Sequence, residues 1–306
     1  MVNMTQDSLP TVRADRGVAS PARAHPCCAV MAMLVLAFCL TESALSQPVE
    51  RARWKLAARL DTTRLPELSG LVESRIRPGV FWGHGDSGNA PRLVAFDLTG
   101  RIVAEVNVAA VNADWEDITA DDRGHLYVGD IGNYQGWFGV RQIYKFVEPD
   151  PENPPAEPIK PIATYQYKLD DKNRFDAESL FWRDGSLHVI SKNGRGPAMY
   201  RLTPAENEHE LRLVELDAGL PLIPTGADCS ADGRSLVVCG YRRCVIFALT
   251  EDGQIDSSAS PRYISYPNHG GVEAVAFEKD GVMLGAENGW VFRVPFDAFE
   301  RRASFR

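Results

Sequence analysis

The chain has 306 residues, 44% hydrophobic, 24% charged and 9% aromatic, the balance of a globular protein, which excludes a disordered, collagen-like or polytopic membrane chain. Its formal charge is −8, from 33 Lys and Arg against 41 Asp and Glu. Without a basic excess to neutralise phosphates, nucleic acid is excluded as a partner, and cations or neutral polar ligands fit better.

The first 46 residues stand apart. Arg13, Arg16 and Arg23 precede an apolar run from Ala29 to Leu40, followed by Ala44, Leu45 and Ser46, the order of a secretory signal peptide. The run is shorter than the roughly 17 apolar residues a retained membrane anchor requires. Lipidation is a minor alternative: Leu36, Ala37, Phe38 and Cys39 outline a lipoprotein box, but Phe38 occupies a position that calls for a small residue. The expected organisation is a signal peptide over 1–46 and a single domain over 47–306, secreted or periplasmic, monomeric and without a transmembrane span.

The segment carries three acidic and three basic residues, so its removal leaves the charge unchanged. Cys229, Cys239 and Cys244 remain, an odd number that allows at most one internal disulfide. With no CxxC pair or His cluster beside them a zinc site is not expected, and they read as small apolar strand residues.

From Trp54 onward, short β-branched and aromatic runs alternate with Gly, Asp, Asn and Pro, an all-β pattern. In chain order the runs include Trp54 to Leu60, Val80 to Trp82, Arg92 to Phe96, Leu126 to Val128, Gln142 to Val147, Thr164 to Leu169, Leu187 to Ile190, Leu236 to Val238, Val245 to Leu249 and Trp290 to Val294. Five segments open alike, and aligned on Leu71, Ile118, Leu180, Cys229 and Val275 they are spaced by 47, 62, 49 and 46 residues. That is the period of four-stranded propeller blades. The long interval contains EPDPENPPAEPIKP, residues 148–161, a proline-rich insertion that cannot join a central ladder and is expected as a surface loop. The last repeat runs out early, while Trp54 to Leu60 precedes the first. The expected fold is therefore a β-propeller of five four-stranded blades, the last completed by the N-terminal strand, with six blades as the alternative.

The motifs GDSGN, WEDI, LYVGDIGN, IYKFVEP, DAESL and TGAD followed by SADGRSLVV resemble a group of secreted bacterial propeller proteins, over Leu68 to Val294. More distantly the chain is similar to the propeller assemblage that includes gluconolactonase-like hydrolases and propeller phytases. The resemblance implies the propeller fold and supplies no reaction.

Strands of a propeller start at a central channel, so polar residues near the start of each repeat converge on one funnel. GDSGN recurs as GDIGN in consecutive repeats. Its Gly residues permit positive φ or close approach, and its Asp and Asn either offer oxygen ligands or cap their own turns. Glu116, Glu178 and Glu273 recur two residues before the aligned aliphatic. Carboxylates so placed repel one another unless a cation is bound or backbone amides satisfy them. Hard oxygen donors point to Ca²⁺ or Mg²⁺ if a metal is present, Ca²⁺ being the better match outside the cell, with Asp86, Asp130 and Glu273 as metal ligands. Glu116, Glu178 and Lys192 are the catalytic candidates. His84, Asn89, Trp115, Asp117, Asn133, Asp176, Asp228, Arg242 and Glu287 are expected to contact a ligand. Trp115, Tyr134, Trp137, Phe138 and Tyr241 offer ring faces for a sugar or pack within blades; Lys192, Arg195 and Arg242 are the basic residues near the mouth.

Two functions follow. In one the ring is a rigid scaffold that binds a cation, a small polar molecule, a glycan or a protein. In the other a bound cation, with Glu178 or Glu116 as general base and Lys192 or Arg242 holding an anion, hydrolyses a lactone, glycoside or phosphoester. The absence of GxSxG, HExxH and P-loop motifs argues against serine hydrolase, zincin and nucleotide-binding chemistry. Mass spectrometry of the exported protein should find Gln47 at the N-terminus; a retained segment 1–46 would refute the signal-peptide assignment.

Overall fold

The computed structural model describes residues 54–133, 140–168, 176–192, 196–204, 210–216, 219–268 and 270–301, all within the compact unit Ala52–Arg306. The expected signal peptide, Tyr134, Trp137, Phe138 and Arg195 lie outside the described residues.

An isolated N-terminal strand, β1 (Lys55–Arg59), is followed by four antiparallel meanders. The first comprises β2 (Leu68–Glu73), β3 (Val80–Gly85), β4 (Arg92–Asp97) and β5 (Ile102–Asn107). The second comprises β6 (Trp115–Ala120), β7 (His125–Asp130), β8 (Val140–Val147) and β9 (Ala163–Lys168). The third is β10 (Ala177–Arg183), β11 (Ser186–Ser191), β12 (Met199–Pro204) and β13 (Glu210–Leu216), and the fourth β14 (Gly226–Cys229), β15 (Ser235–Gly240), β16 (Arg243–Ala248) and β17 (Arg262–Ser265). A fifth unit has three consecutive strands, β18 (Val272–Glu278), β19 (Gly281–Ala286) and β20 (Trp290–Pro295). Its outer place is taken by β1, antiparallel to β20 with Leu56 opposite Phe292.

The arrangement is propeller-like. The first strand of each unit packs on that of the next, β2 on β6, β6 on β10, β10 on β14 and β14 on β18, and β18 returns to β2. Strand side chains alternate between faces, so every sheet is apolar on both sides and each junction holds its own cluster. Trp82 and Leu93 meet Ile118 and Phe146 between the first and second units; Tyr127 and Ile143 meet Leu180 and Val189 between the second and third. Phe181 and Ile190 meet Leu236 and Val238 at the next junction, Val237 and Ile246 meet Val275 and Leu284 at the one after, and Ala276 and Met283 meet Leu71 and Phe81 where the ring closes.

Outer edges are covered unevenly. β13 pairs in parallel with β9, joining two units into one eight-stranded sheet, and β21 (Glu300–Arg301) lies on β17. The proline-rich insertion stays outside the ladders of β8 and β9 but straps the first unit to the second. The buried Glu148 carboxylate accepts from the Ser74 hydroxyl, the Arg75 amide at 3.0 Å and the Trp82 indole at 3.1 Å, and Ile159 bridges Val108.

β1 covers β20 with Trp54 edge-on to Phe292 at 5.1 Å and Arg59 over the Trp290 ring at 5.0 Å, while Leu60 is buried in the cluster against the first unit. Burial of one Leu and one Trp is worth about 4 kcal/mol. Deletion of residues 47–61 should therefore lower Tm by roughly 10 °C, measured by calorimetry; an unchanged Tm would show that β1 does not support the ring.

Candidate functional site

The site begins with an irregularity in the ladder. Four of the five first strands slip by one residue against their second strand, between Leu68 and Gly70, Trp115 and Asp117, Ala177 and Ser179, and Val272 and Ala274. The skipped residues are Ser69, Glu116, Glu178 and Glu273. A bulge leaves its extra residue unpaired and re-aims the side chain, and in three of the four units that residue is Glu. The fourth unit runs without a slip from Gly226 to Cys229 and has Ala227 at the corresponding place.

The second strands supply the rest. The residue after each bulged partner donates its amide to the chain entering the first strand: Asp86 to Glu67 O at 3.0 Å, Ile131 to Asp114 O at 3.1 Å, Lys192 to Asp176 O at 2.7 Å and Glu287 to Gly271 O at 2.9 Å. These bonds draw acidic residues from both segments together. Asp86, Asp114 and Glu116 can each present one oxygen within 4.8 Å of the others, and so can Glu116, Asp176 and Glu178. Glu116 is common to both groups. Lys192 Nζ lies 2.9 Å from Glu178 Oε1 and 3.1 Å from the Tyr241 hydroxyl.

The electrostatics follow from the crowding of buried and half-buried carboxylates. Burial, then Asp86 and Asp176, raises Asp114 to about 6. Burial raises Glu178 to about 7 despite the Lys192 ammonium. Glu116 is pushed well above the carboxylate range by burial and then by Glu178, Asp86, Asp114 and Asp176. Burial, then the hydrogen bond to Glu287, raises Glu273 to about 9, as in a carboxyl pair sharing a proton. Burial also opposes the charge on Lys192, but Glu178 and Tyr241 outweigh it and hold the ammonium above its usual value.

The two Gly-Asp-x-Gly-Asn segments are not equivalent. Leu68 faces Gly85, whereas Trp115 at the same repeat position faces Asp130, so the second motif sits one residue out of step. Asp86 therefore enters the cluster, while Asp130 accepts the Asp114 amide at 2.7 Å and faces the Tyr144 hydroxyl at 3.4 Å. Asp130, expected as a metal ligand, belongs to neither group of three and clasps Asp114. The glycines differ too. Gly88 takes φ +77° in open space, whereas a Cβ on Gly132 would lie 2.0 Å from Glu116 Oε1 and 2.6 Å from Asp114 Cγ, so Gly132 makes room for the carboxylates.

Several expected ligand contacts belong instead to the wall. Asp117, fully buried, accepts the amides of Ile118 at 2.8 Å, Leu180 at 2.9 Å and Ala227 at 3.2 Å. Asp228 accepts those of Cys229 and Phe277, both at 2.8 Å. Both are staples between first strands, placed one residue after the bulge position. Trp115 is fully buried, donating to Val111 O at 2.8 Å and packing edge-on with His84 at 5.4 Å; burial lowers His84 to about 4, leaving a neutral ring. Asn89 closes its turn on Glu67 and the Asp86 carbonyl. The Arg242 side chain is exposed in the turn after β15, and Tyr241 rather than Arg242 contacts Lys192. The Asn133 amide donates to Asp176 Oδ1 at 2.6 Å and orients it. Glu287 is exposed beside buried Glu273, and Glu273 belongs to neither group of three.

Asp114 is the principal residue missing from the sequence-based set. It lies four residues before Ile118, as Asp176 does before Leu180 and Glu67 before Leu71; applying the repeat register to that position finds it. Arg141 was also missed: buried behind the cluster, it donates to Ile131 O at 3.1 Å.

No protein-family description matches the chain, and no curated protein matches it. Among solved structures, virginiamycin B lyase from Staphylococcus aureus overlaps 78% of this chain and 97% of its own at 14% identity, with a TM-score of 0.45. A luciferin-regenerating enzyme overlaps 78% and 81% at 16% identity, TM-score 0.44. The PQQ-bound aldose sugar dehydrogenase from Streptomyces coelicolor overlaps 78% and 96% at 14% identity, TM-score 0.49. Overlaps at this level transfer neither activity nor ligand to this chain. Among the described residues no helix is long and apolar enough to cross a membrane.

Folded-state values above unfolded ones mean that the metal-free protein holds extra protons. That stabilisation is complete below the unfolded carboxylate range and is lost as pH rises through about 6 for Asp114, about 7 for Glu178 and about 9 for Glu273. In EDTA, Tm should fall steadily from about pH 5 to about pH 9, and Glu178→Gln should flatten the lower part of the decline. A Tm that rises over this range would contradict the crowded-carboxylate description.

Proposed function

We propose that this is an exported, five-bladed propeller, the fifth blade completed by β1, whose acidic mouth holds a hard divalent cation of the Ca²⁺ kind and hydrolyses a neutral polar substrate. The observation that supports this reading is the shared position of Glu116 between two groups of carboxylates, contributed by the first three units, with Lys192 held against Glu178. Oxygen donors of this kind suit Ca²⁺ or Mg²⁺. A bound cation would relieve the repulsion that raises Glu116 and would polarise an oxygen of the substrate. Glu178, paired with Lys192 and through it with Tyr241, is the general base that takes a proton from the attacking water.

Charge narrows the substrate. A phosphoester would bring further negative charge to a mouth where Lys192 is already committed to Glu178, whereas a lactone or glycoside brings none. The carboxylates of both groups are supplied within one chain, so the reading needs no second copy.

The test pairs binding with turnover. Calorimetric titration should show saturable Ca²⁺ binding to the parent and its loss in Glu116→Gln, and Ca²⁺ should raise Tm by mass action. On lactone and aryl-glycoside panels, Glu178→Gln should reduce cation-dependent hydrolysis by at least about 100-fold. No Ca²⁺ or Mg²⁺ binding in the parent would overturn the cation site, and binding without turnover of either class would overturn the hydrolase in favour of a ligand-binding scaffold.

A further inference from the structure

The three cysteines of the folded unit all lie in the fourth sheet, and their faces sort them. Cys229 and Leu236 pair across β14 and β15, and both sit in the cluster against the third unit. Cys239 and Cys244 are directly opposite one another in β15 and β16, and both sit in the cluster against the fifth unit. A sheet two faces thick separates Cys229 from the other two.

The backbone shows which kind of pair Cys239 and Cys244 form. The Cys239 carbonyl accepts the Thr225 amide at 3.0 Å, on the side away from β16. The Arg242 carbonyl, two residues before Cys244, accepts the Tyr266 amide at 3.0 Å, on the side away from β15. Polar groups of a strand alternate in direction with period two, so both cysteines turn their hydrogen-bonding groups outward from the hairpin. They are a non-hydrogen-bonded pair, whose Cα atoms lie about 4.5 Å apart with side chains close, within the roughly 4.4–6.8 Å span of disulfides. The two-residue loop of Tyr241 and Arg242 fixes this register.

We propose that Cys239 and Cys244 are a cross-strand disulfide pair, oxidised by thiol–disulfide exchange with a small-molecule or carrier disulfide while the chain folds. One cysteine thiolate attacks the acceptor disulfide, giving a mixed disulfide and releasing one acceptor thiol. The second thiolate attacks the protein sulfur of that bond, closing the intramolecular bridge and releasing the second acceptor thiol. The protein loses two protons and two electrons, which the acceptor disulfide gains as it becomes two thiols. Both side chains are 0% exposed once the fourth and fifth units have packed, so exchange precedes that packing. Burial also raises both thiols and keeps them protonated in the folded chain. The bridge ties the strands on either side of Tyr241, the residue that receives Lys192. The pairing does not depend on a bound cation.

The full chain, reduced and unfolded in guanidinium, is refolded with glutathione disulfide or with reductant alone, then denatured, alkylated with iodoacetamide and mapped by peptide mass spectrometry. The oxidised sample should carry alkylated Cys229 and an unalkylated Cys239–Cys244 bridge lighter by two hydrogens; the reduced sample should carry three alkylated cysteines. Cys229→Ala should form the same bridge, and Cys239→Ser should leave Cys229 and Cys244 both alkylated. Three alkylated cysteines from the oxidised parent, a bridge that includes Cys229, or a disulfide-linked dimer would each overturn the assignment.

Discussion

The ring depends on what happens at its centre, where first strands converge and their amides have little access to water. Asp117 resolves much of this alone: from β6 it accepts an amide of its own strand, one from β10 and one from β14. An unsatisfied buried amide costs about 1–3 kcal/mol, so one short side chain offsets a penalty that would otherwise fall on three strands at once. Burial holds its carboxyl well above the usual range. Shorter staples extend the scheme, with Ser69 donating to Glu116 O, Thr119 accepting the Trp182 amide and Thr225 donating to Val272 O. Gly70 belongs to the same economy of space: a Cβ there would stand 2.4 Å from His84 Nε2 and 2.8 Å from the Ile118 amide nitrogen.

That closure determines where charge can accumulate. In the second unit the residue after the bulge, Asp117, is consumed by the ring, whereas the bulged Glu116, like Glu178 in the third unit, is turned toward the neighbouring carboxylates. Sequence neighbours Glu116 and Asp117 thus have different surroundings, one crowded among carboxylates and one bonded to backbone amides, because a single extra residue separates their directions. The crowding of Glu116, Asp114 and Glu178 follows from two bulged glutamates on adjacent first strands, with the acidic residues that enter those strands beside them. The fourth unit, with no bulge and Ala227 in place of Glu, interrupts the acidic arc.

The repeat was legible in the sequence because meanders of similar strand lengths recur at similar intervals, and the surplus of one interval coincided with a visible run of prolines. The pairing of Trp54 to Leu60 with the last unit was legible because that unit was short of a strand. Finer features were not. Where a motif falls on its second strand depends on the length of the hairpin before it and not on the motif itself, so GDSGN and GDIGN look equivalent although Asp86 aligns with Ile131 rather than Asp130. Asp117 and Asp228 are chemically indistinguishable from ligands until their amide donors are seen. Trp115 and His84, polar-edged residues beside the motifs, are consumed by packing and burial.

Among the described strands, the one that completes the last sheet comes first in the chain. β1 finds its partner only when β20 exists, and Leu56 must wait for Phe292 at the far end of the chain. Each meander can gather its own strands locally, but the ring cannot lock until its ends meet, and the entropy of closing so long a loop falls on that final step. During synthesis the opening segment therefore has no native place to dock. The seam of the ring thus joins strands from opposite ends of the described residues, and the contacts that seal it are the ones of greatest sequence separation.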